Sequence, residues 1–255
     1  MAGQPRIIKL AAAGLWRRMS ARLRTGPIAR WRFSGLTPDR VPIAPPDLRM
    51  ADAHVAQEFY SGRYALSGKT VDTGGESPFQ VMPPSEEWEA ALHNFRWLRH
   101  MREAGTGLAA AHARTLVSDW IRMHGRTIEG QTWDADTVAK RTIAWLQHSG
   151  TLLRDADLTF YRAFLRSLAY QIRYLRTVAK GLDEGEPRLR ARIALVFAAL
   201  SLPVSSTRLT QATRNLGREL ERQILPDGIH ISRNPESVLE LLTDLLPLRQ
   251  TYANQ

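Results

Sequence analysis

The sequence predicts an all-α protein of antiparallel helix hairpins, preceded by a basic N-terminal arm and a short β-hairpin-like segment. Three observations predict it. After Pro84, apolar residues recur at the 3.6-residue period of a helix face in about seven segments. The breaks between those segments are short and carry Gly or Pro, and short links make successive helices antiparallel neighbours. Before Pro84 the pattern differs, with aromatic and β-branched residues punctuated by glycines. Stacked helix hairpins give a bundle, a solenoid or a curved α/α toroid, and periodicity leaves all three open.

The first element is the arm. Ile7, Ile8, Leu10, Leu15, Trp16, Met19 and Leu23 recur at roughly helical spacing among arginines, the pattern of a basic amphipathic helix. The uncharged run from Leu10 to Trp16 is too short to cross a bilayer and poor as a signal-peptide core. Reversible attachment to an anionic membrane surface is one reading; an arm without that role is the plainer one. Residues 37–50 are Pro-rich and read as an extended linker, closing a first segment of 1–50. Residues 51–84 hold the hairpin-like arm around Tyr60–Gly75, where Gly62, Gly68, Gly74 and Gly75 mark turns.

The helical domain is expected over 85–255. Ser85-Glu86-Glu87 reads as a cap with an acidic first turn, opening a helix through Trp88, Ala91, Leu92, Phe95, Leu98 and Met101. Further helices carry Leu108 to Trp120, Val138 to Leu146, Leu158 to Val178, Leu189 to Leu200, Leu209 to Ile224 and Val238 to Leu248. The last pattern reaches Gln255 without a Gly or basic stop signal. A truncated or split protein, whose next domain is missing, is the expectation.

Composition bounds the function. The 255 residues are 44% hydrophobic, enough for a real core. The absence of Cys excludes disulfides and thiolate metal sites. A net charge of +10 first suggests nucleic acid, but eight basic residues and no acid fall within residues 1–38, leaving about +2 for the rest. No nucleic-acid partner is therefore expected. Nor are there a phosphate loop, a nucleophile elbow, a dinucleotide fingerprint or metal-ligand spacing among the histidines, so neither cofactor nor metal is expected.

The candidate site is the loop Asp227-Gly228-Ile229-His230-Ile231-Ser232-Arg233-Asn234-Pro235, which sets an imidazole, a guanidinium, an amide and a carboxylate between two amphipathic helices. Loops joining helices are usually short and bland. Two readings stand. The side chains hold a ligand, or His230 and Arg233 cap the flanking helices and Asp227-Gly228 makes an ordinary turn. Similarly, Trp88, Trp97, Trp120 and Trp145 suit a core at helical spacing, and in a cleft they would stack on sugar rings.

Several ordered blocks over roughly residues 56–250 resemble the heparinase II/III-like polysaccharide lyases. Trp88 with Leu92-His93-Asn94-Phe95-Arg96-Trp97-Leu98 is similar to that family's Trp…Leu-His-Tyr-Phe-Asp-Trp-Leu helix. Trp133 with Arg141-Thr142-Ile143-Ala144-Trp145 resembles its Trp…Arg-Ile-Val-Asn-Trp block, and Ala194-Leu195-Val196-Phe197-Ala198 matches a later helix. The loop Asp227–Pro235 resembles Asp-Gly-Gly-His-Phe-Glu-Arg-Ser-Pro. The resemblance implies an incomplete α/α toroid lacking a C-terminal β-sandwich, and an acidic polysaccharide as partner. It implies β-elimination beside a uronic acid, with an Asn or His neutralising the carboxylate and a Tyr as base. His93, Asn94, Trp97, Arg141, Trp145, His230 and Arg233 are the implied substrate-binding residues, with Arg141 and Arg233 holding the acid groups.

Two positions depart from the family. Glu186-Pro187 stands where the family carries Asn-His, and a glutamate there would repel the carboxylate it should neutralise. Ser237-Val238 stands where the family carries Tyr-His. No catalytic residue carries over. The two resulting expectations are a diverged uronate lyase and a non-catalytic cell-envelope glycan-binding or assembly module with a membrane-surface arm. A bacterial source is expected, in the cytoplasm or at the membrane periphery, with the periplasm left open.

Overall fold

A computed structural model describes residues 33–254. The basic arm lies outside them, apart from its last residues. The chain divides into two compact units between residues 36 and 37. In the second unit, ten α-helices and one two-stranded antiparallel sheet form an all-α toroid. Among the described residues no helix is long and apolar enough to cross a membrane.

Residues 37–50 are extended, as a Pro-rich stretch should be, and they are tied down along their length. The Pro46 carbonyl accepts from Gln147 Nε2 at 2.8 Å, and Met50 O accepts from Arg99 Nε at 2.9 Å. Asp47 faces His148 at 3.3 Å, and Arg49 pairs with Asp244 at 2.7 Å. The expected linker is a strap.

Helix α1 (Ala53–Tyr60) leads into β1 (Arg63–Leu66) and β2 (Lys69–Asp72), with Tyr64 opposite Val71. Ser67 and Gly68 both take positive φ, at 47° and 74°, as a two-residue hairpin turn requires. The Tyr64 carbonyl accepts from Trp88 Nε1 at 3.1 Å, so the hairpin is fastened to the helices. Helices α2 (Glu86–His93) and α3 (Leu98–Ala104) then occupy the segment expected as one helix. The Ser85 cap forms, accepting from Trp88 N at 3.3 Å. The break falls at Phe95, whose φ of 59° is left-handed. That conformation costs energy in a bulky residue, and Phe95 is fully buried among Phe79, Trp97, Trp120 and Trp145. The aromatic core offsets the strain.

Helix α4 (Gly107–His124), a 3₁₀ turn (Gln131–Trp133), α5 (Ala135–Gln147), α6 (Ser149–Leu153) and α7 (Leu158–Val178) come next along the chain. Asp157 caps α7, accepting from Phe160 N at 2.9 Å. Helix α8 (Glu186–Ser201) packs against α5, α7, α9 (Ser206–Gln223) and α10 (Pro235–Ala253). It is buried on nearly all sides from Leu189 to Ser201, and so carries no amphipathic stripe. Its first turn, and the α9–α10 loop beside it, form the candidate site.

Candidate functional site

The Asp227–Pro235 loop is shaped by its own backbone. Gly228, at φ 83°, closes a turn whose N–H donates to Leu225 O at 2.8 Å. Ile224 and His230 then pair as an antiparallel bridge, and Ile231 N donates to Gln223 O at 2.8 Å. Asn234 caps α10 by accepting from Glu236 N at 3.0 Å, with Pro235 in the first turn. Pairing back onto the end of α9 turns His230 inward.

His230 is fully buried. Its Nε2 lies 2.8 Å from Gln223 Oε1, and Gln223 Nε2 donates to Glu219 Oε1 at 2.7 Å. Glu219 in turn accepts from Arg188 Nε at 2.8 Å. With the Gln223 oxygen as acceptor, the proton sits on His230 Nε2, and Nδ1 accepts from Ser232 N at 3.2 Å. Burial holds the imidazole below its usual pKa. Both ring nitrogens are engaged within the protein, which leaves no free nitrogen for proton transfer.

The two positions that break the resemblance meet in space. Ser237 Oγ donates to Glu186 Oε1 across 51 residues of sequence. Behind this pair, Arg190 bonds Asp136 and lies 3.7 Å from Glu186 Oε2 and 3.5 Å from Asp244. Asp244 is fully buried and also receives Arg49 and Arg96, at 2.7 and 3.1 Å. Arg96 bonds Glu240 as well, and Lys140 pairs with Asp136 at 2.7 Å. Burial lowers the Arg190 pKa, but Asp136, Asp244 and Glu240 raise it by more. Asp136 is held below the usual carboxylate range, because Arg190 and Lys140 outweigh the cost of its burial. The cations near the loop are thus already neutralised by protein carboxylates.

An open pocket of about 510 Å³ sits on this network, lined by Asp136, Lys140, Glu184, Glu186, Arg190 and Ser232 among others. Glu186 stood out in the sequence, whereas Asp136, Arg190 and Asp244 did not. One signal was legible: Asp244 stands between Leu241 and Leu248 on the buried face of α10, where an unpaired carboxylate is not tolerated.

The residues implied by the resemblance occupy two places. His230 and Arg233 belong to the loop, where Arg233 is 67% exposed and 3.7 Å from Asp227. The others lie in or beside the aromatic core. Arg141 has no exposed surface; it donates to Gln171, His93 O and Thr132 O at 2.7, 2.9 and 2.9 Å, and its guanidinium lies 4.0 Å from the Trp120 ring centre. Burial pushes its pKa well down. His93 accepts from Trp120 Nε1 at 3.0 Å, and burial with Arg141 and His124 nearby lowers it to about 2. Trp97 donates to Leu92 O at 2.9 Å, and Trp145 stacks on Phe164. Half-buried Asn94 accepts from Arg96 N at 2.9 Å, supporting the turn at Phe95. Arg141, Trp97 and Trp145 therefore make contacts inside the protein, and the expectation that Arg141 faces an acid group does not match its enclosure.

The comparison with solved structures matches this architecture. The whole chain superposes on heparan sulfate lyase HepC from Pedobacter heparinus with a TM-score of 0.63, at 20% identity over 42% of that chain. A mutant of the same lyase gives 0.63 and 19% over 43%. The fold is heparinase-like. By sequence, the chain is 28% identical over 265 residues to FtsZ-localized protein C of Caulobacter vibrioides, covering 97% of this chain. It spans 45% of that relative's length. No family model matches the chain.

Proposed function

We propose that this chain is a non-catalytic, heparinase-fold module for cell-envelope glycan binding or assembly, acting with the bacterial division apparatus. The observation that carries the reading is the Ser237–Glu186 hydrogen bond on Arg190. It occupies the two positions that the resemblance assigns to the catalytic base and the carboxylate neutraliser. β-Elimination beside a uronate needs the substrate carboxylate neutralised before the C5 proton is abstracted. A glutamate offers the wrong charge, and a serine bonded to it offers no base.

The 28% identity to an FtsZ-localized protein supports the placement at division. The basic amphipathic pattern of residues 1–38 supports a membrane-surface arm. The runner-up, an active uronate lyase, draws on the fold and on the sequence blocks that resemble the lyases.

The test uses the full-length gene product with heparan sulfate and other uronate polymers, monitoring ultraviolet absorbance of the C4–C5 double bond. No product is expected. Product formation that Ser237→Ala abolishes would establish the lyase instead. A fluorescent fusion should follow the FtsZ ring, and a uniformly diffuse signal would remove the division assignment.

A further inference from the structure

Resting on the glycan-module reading, we propose that the pocket over Arg190 receives an amine-bearing saccharide, a protonated amino sugar, rather than a uronate. The pocket, about 510 Å³, falls within the size range of small-molecule sites. Its lining brings together two cations and three carboxylates from two parts of the chain: Asp136 and Lys140 on α5, and Glu184, Glu186 and Arg190 just before and along the first turns of α8.

Neither cation is available to an incoming acid. Lys140 is 2.7 Å from Asp136. Arg190, 2% exposed, is surrounded by Asp136, Glu186 and Asp244. A substrate carboxylate would have to displace one of these partners and would also meet the remaining negative charge. An ammonium group meets the opposite balance. Exposed Glu184 forms no ion pair with a described residue and lines the pocket, so its carboxylate is the acceptor open to a ligand amine. Ser232, on the facing loop, has a hydroxyl that donates to His230 Nδ1 at 2.9 Å and keeps a lone pair for a sugar hydroxyl. A charge-assisted bond to Glu184 then gives selectivity for an amine over an acetamide.

Isothermal titration of the full chain at low salt tests this with three probes of equal length: fully de-N-acetylated glucosamine oligomers, their N-acetylated forms, and oligogalacturonate. The expected order is amine tightest, acetamide weaker and uronate weakest. Glu184→Gln should weaken amine binding about tenfold while leaving acetamide binding unchanged. Lys140→Ala, which removes a competing cation, should strengthen it, and circular dichroism shows whether both variants keep their helices. Equal or tighter binding of the uronate, or a Glu184→Gln variant indistinguishable from the parent, overturns the proposal while the glycan-module reading survives. Binding of none of the three overturns the proposal and removes the support for glycan binding altogether.

Discussion

Arg141 and Arg190 are both almost fully enclosed, yet the protein accommodates them in opposite ways. Arg141 has no carboxylate beside it. Two backbone carbonyls, the Gln171 amide oxygen and two indole faces hold it, and its charge spreads over neutral dipoles and π systems. Arg190 sits among Asp136, Glu186 and Asp244, which share it with Arg49, Arg96 and Lys140. The first arrangement joins α5 to α7, the α2 end and the 3₁₀ turn, and leaves no exposed surface for a ligand. The second places a neutralised network under an open pocket. Burial of an arginine alone is therefore no sign of a substrate clamp; what neutralises it decides.

Breaking the first arrangement should cost most. Arg141→Leu leaves the Gln171 oxygen and the His93 and Thr132 carbonyls without their donor, and should lower unfolding free energy by about 4 kcal/mol, at roughly 1–3 kcal/mol per unsatisfied buried group. Urea unfolding measures it; a stability equal to the parent's would show that the cage is not structural. Asp244→Asn should come second, at about 3 kcal/mol, because Arg49, Arg96 and Arg190 lose a shared counter-charge. Its effect should shrink when Arg49→Met is added, since one of the stranded cations is then gone. Strict additivity in the double mutant would separate the strap from the network.

Acid should act across both regions. Burial is the main cause holding His93 down to about 2 and His100 to about 4, and it lowers His148 as well. In the unfolded chain these groups protonate near pH 6.5. Between about pH 6.5 and 4 the unfolded state therefore binds more protons than the folded one, and stability must fall as pH falls. Urea midpoints at pH 7.5, 6 and 5 should decline in that order, and a flat series would mean that these imidazoles protonate without unfolding. The smallest effect belongs to Arg233→Ala. With 67% of its side chain exposed and Asp227 at 3.7 Å, its loss should leave the melting temperature unchanged.

Part of this was legible in the residues. The helical period located the α4, α5, α7, α8, α9 and α10 helices, and Ser85 capped as its type predicts. The tryptophans at helical spacing proved to be core. Leu92, Phe95 and Leu98 keep the period through the α2–α3 break, so nothing in the pattern marks it; the left-handed Phe95 is selected by the aromatic partners around it. The Pro-rich composition of residues 37–50 was read as extended, which holds, but their attachment depends on partners about 50 to 200 residues away.

By itself, the sequence determined a helical chain with a basic first segment, and two positions, Glu186 and Ser237, at which its resemblance to the lyases breaks. Period, cap chemistry and residue identity are local, and local rules read them. Only the tertiary structure decided that Ser237 and Glu186 touch each other, that Arg141 is enclosed while Arg233 is exposed, and that Asp244 gathers three arginines. Those outcomes depend on which distant groups share a low-dielectric space, where an unpaired charge costs several kcal/mol, and sequence spacing carries no record of that proximity.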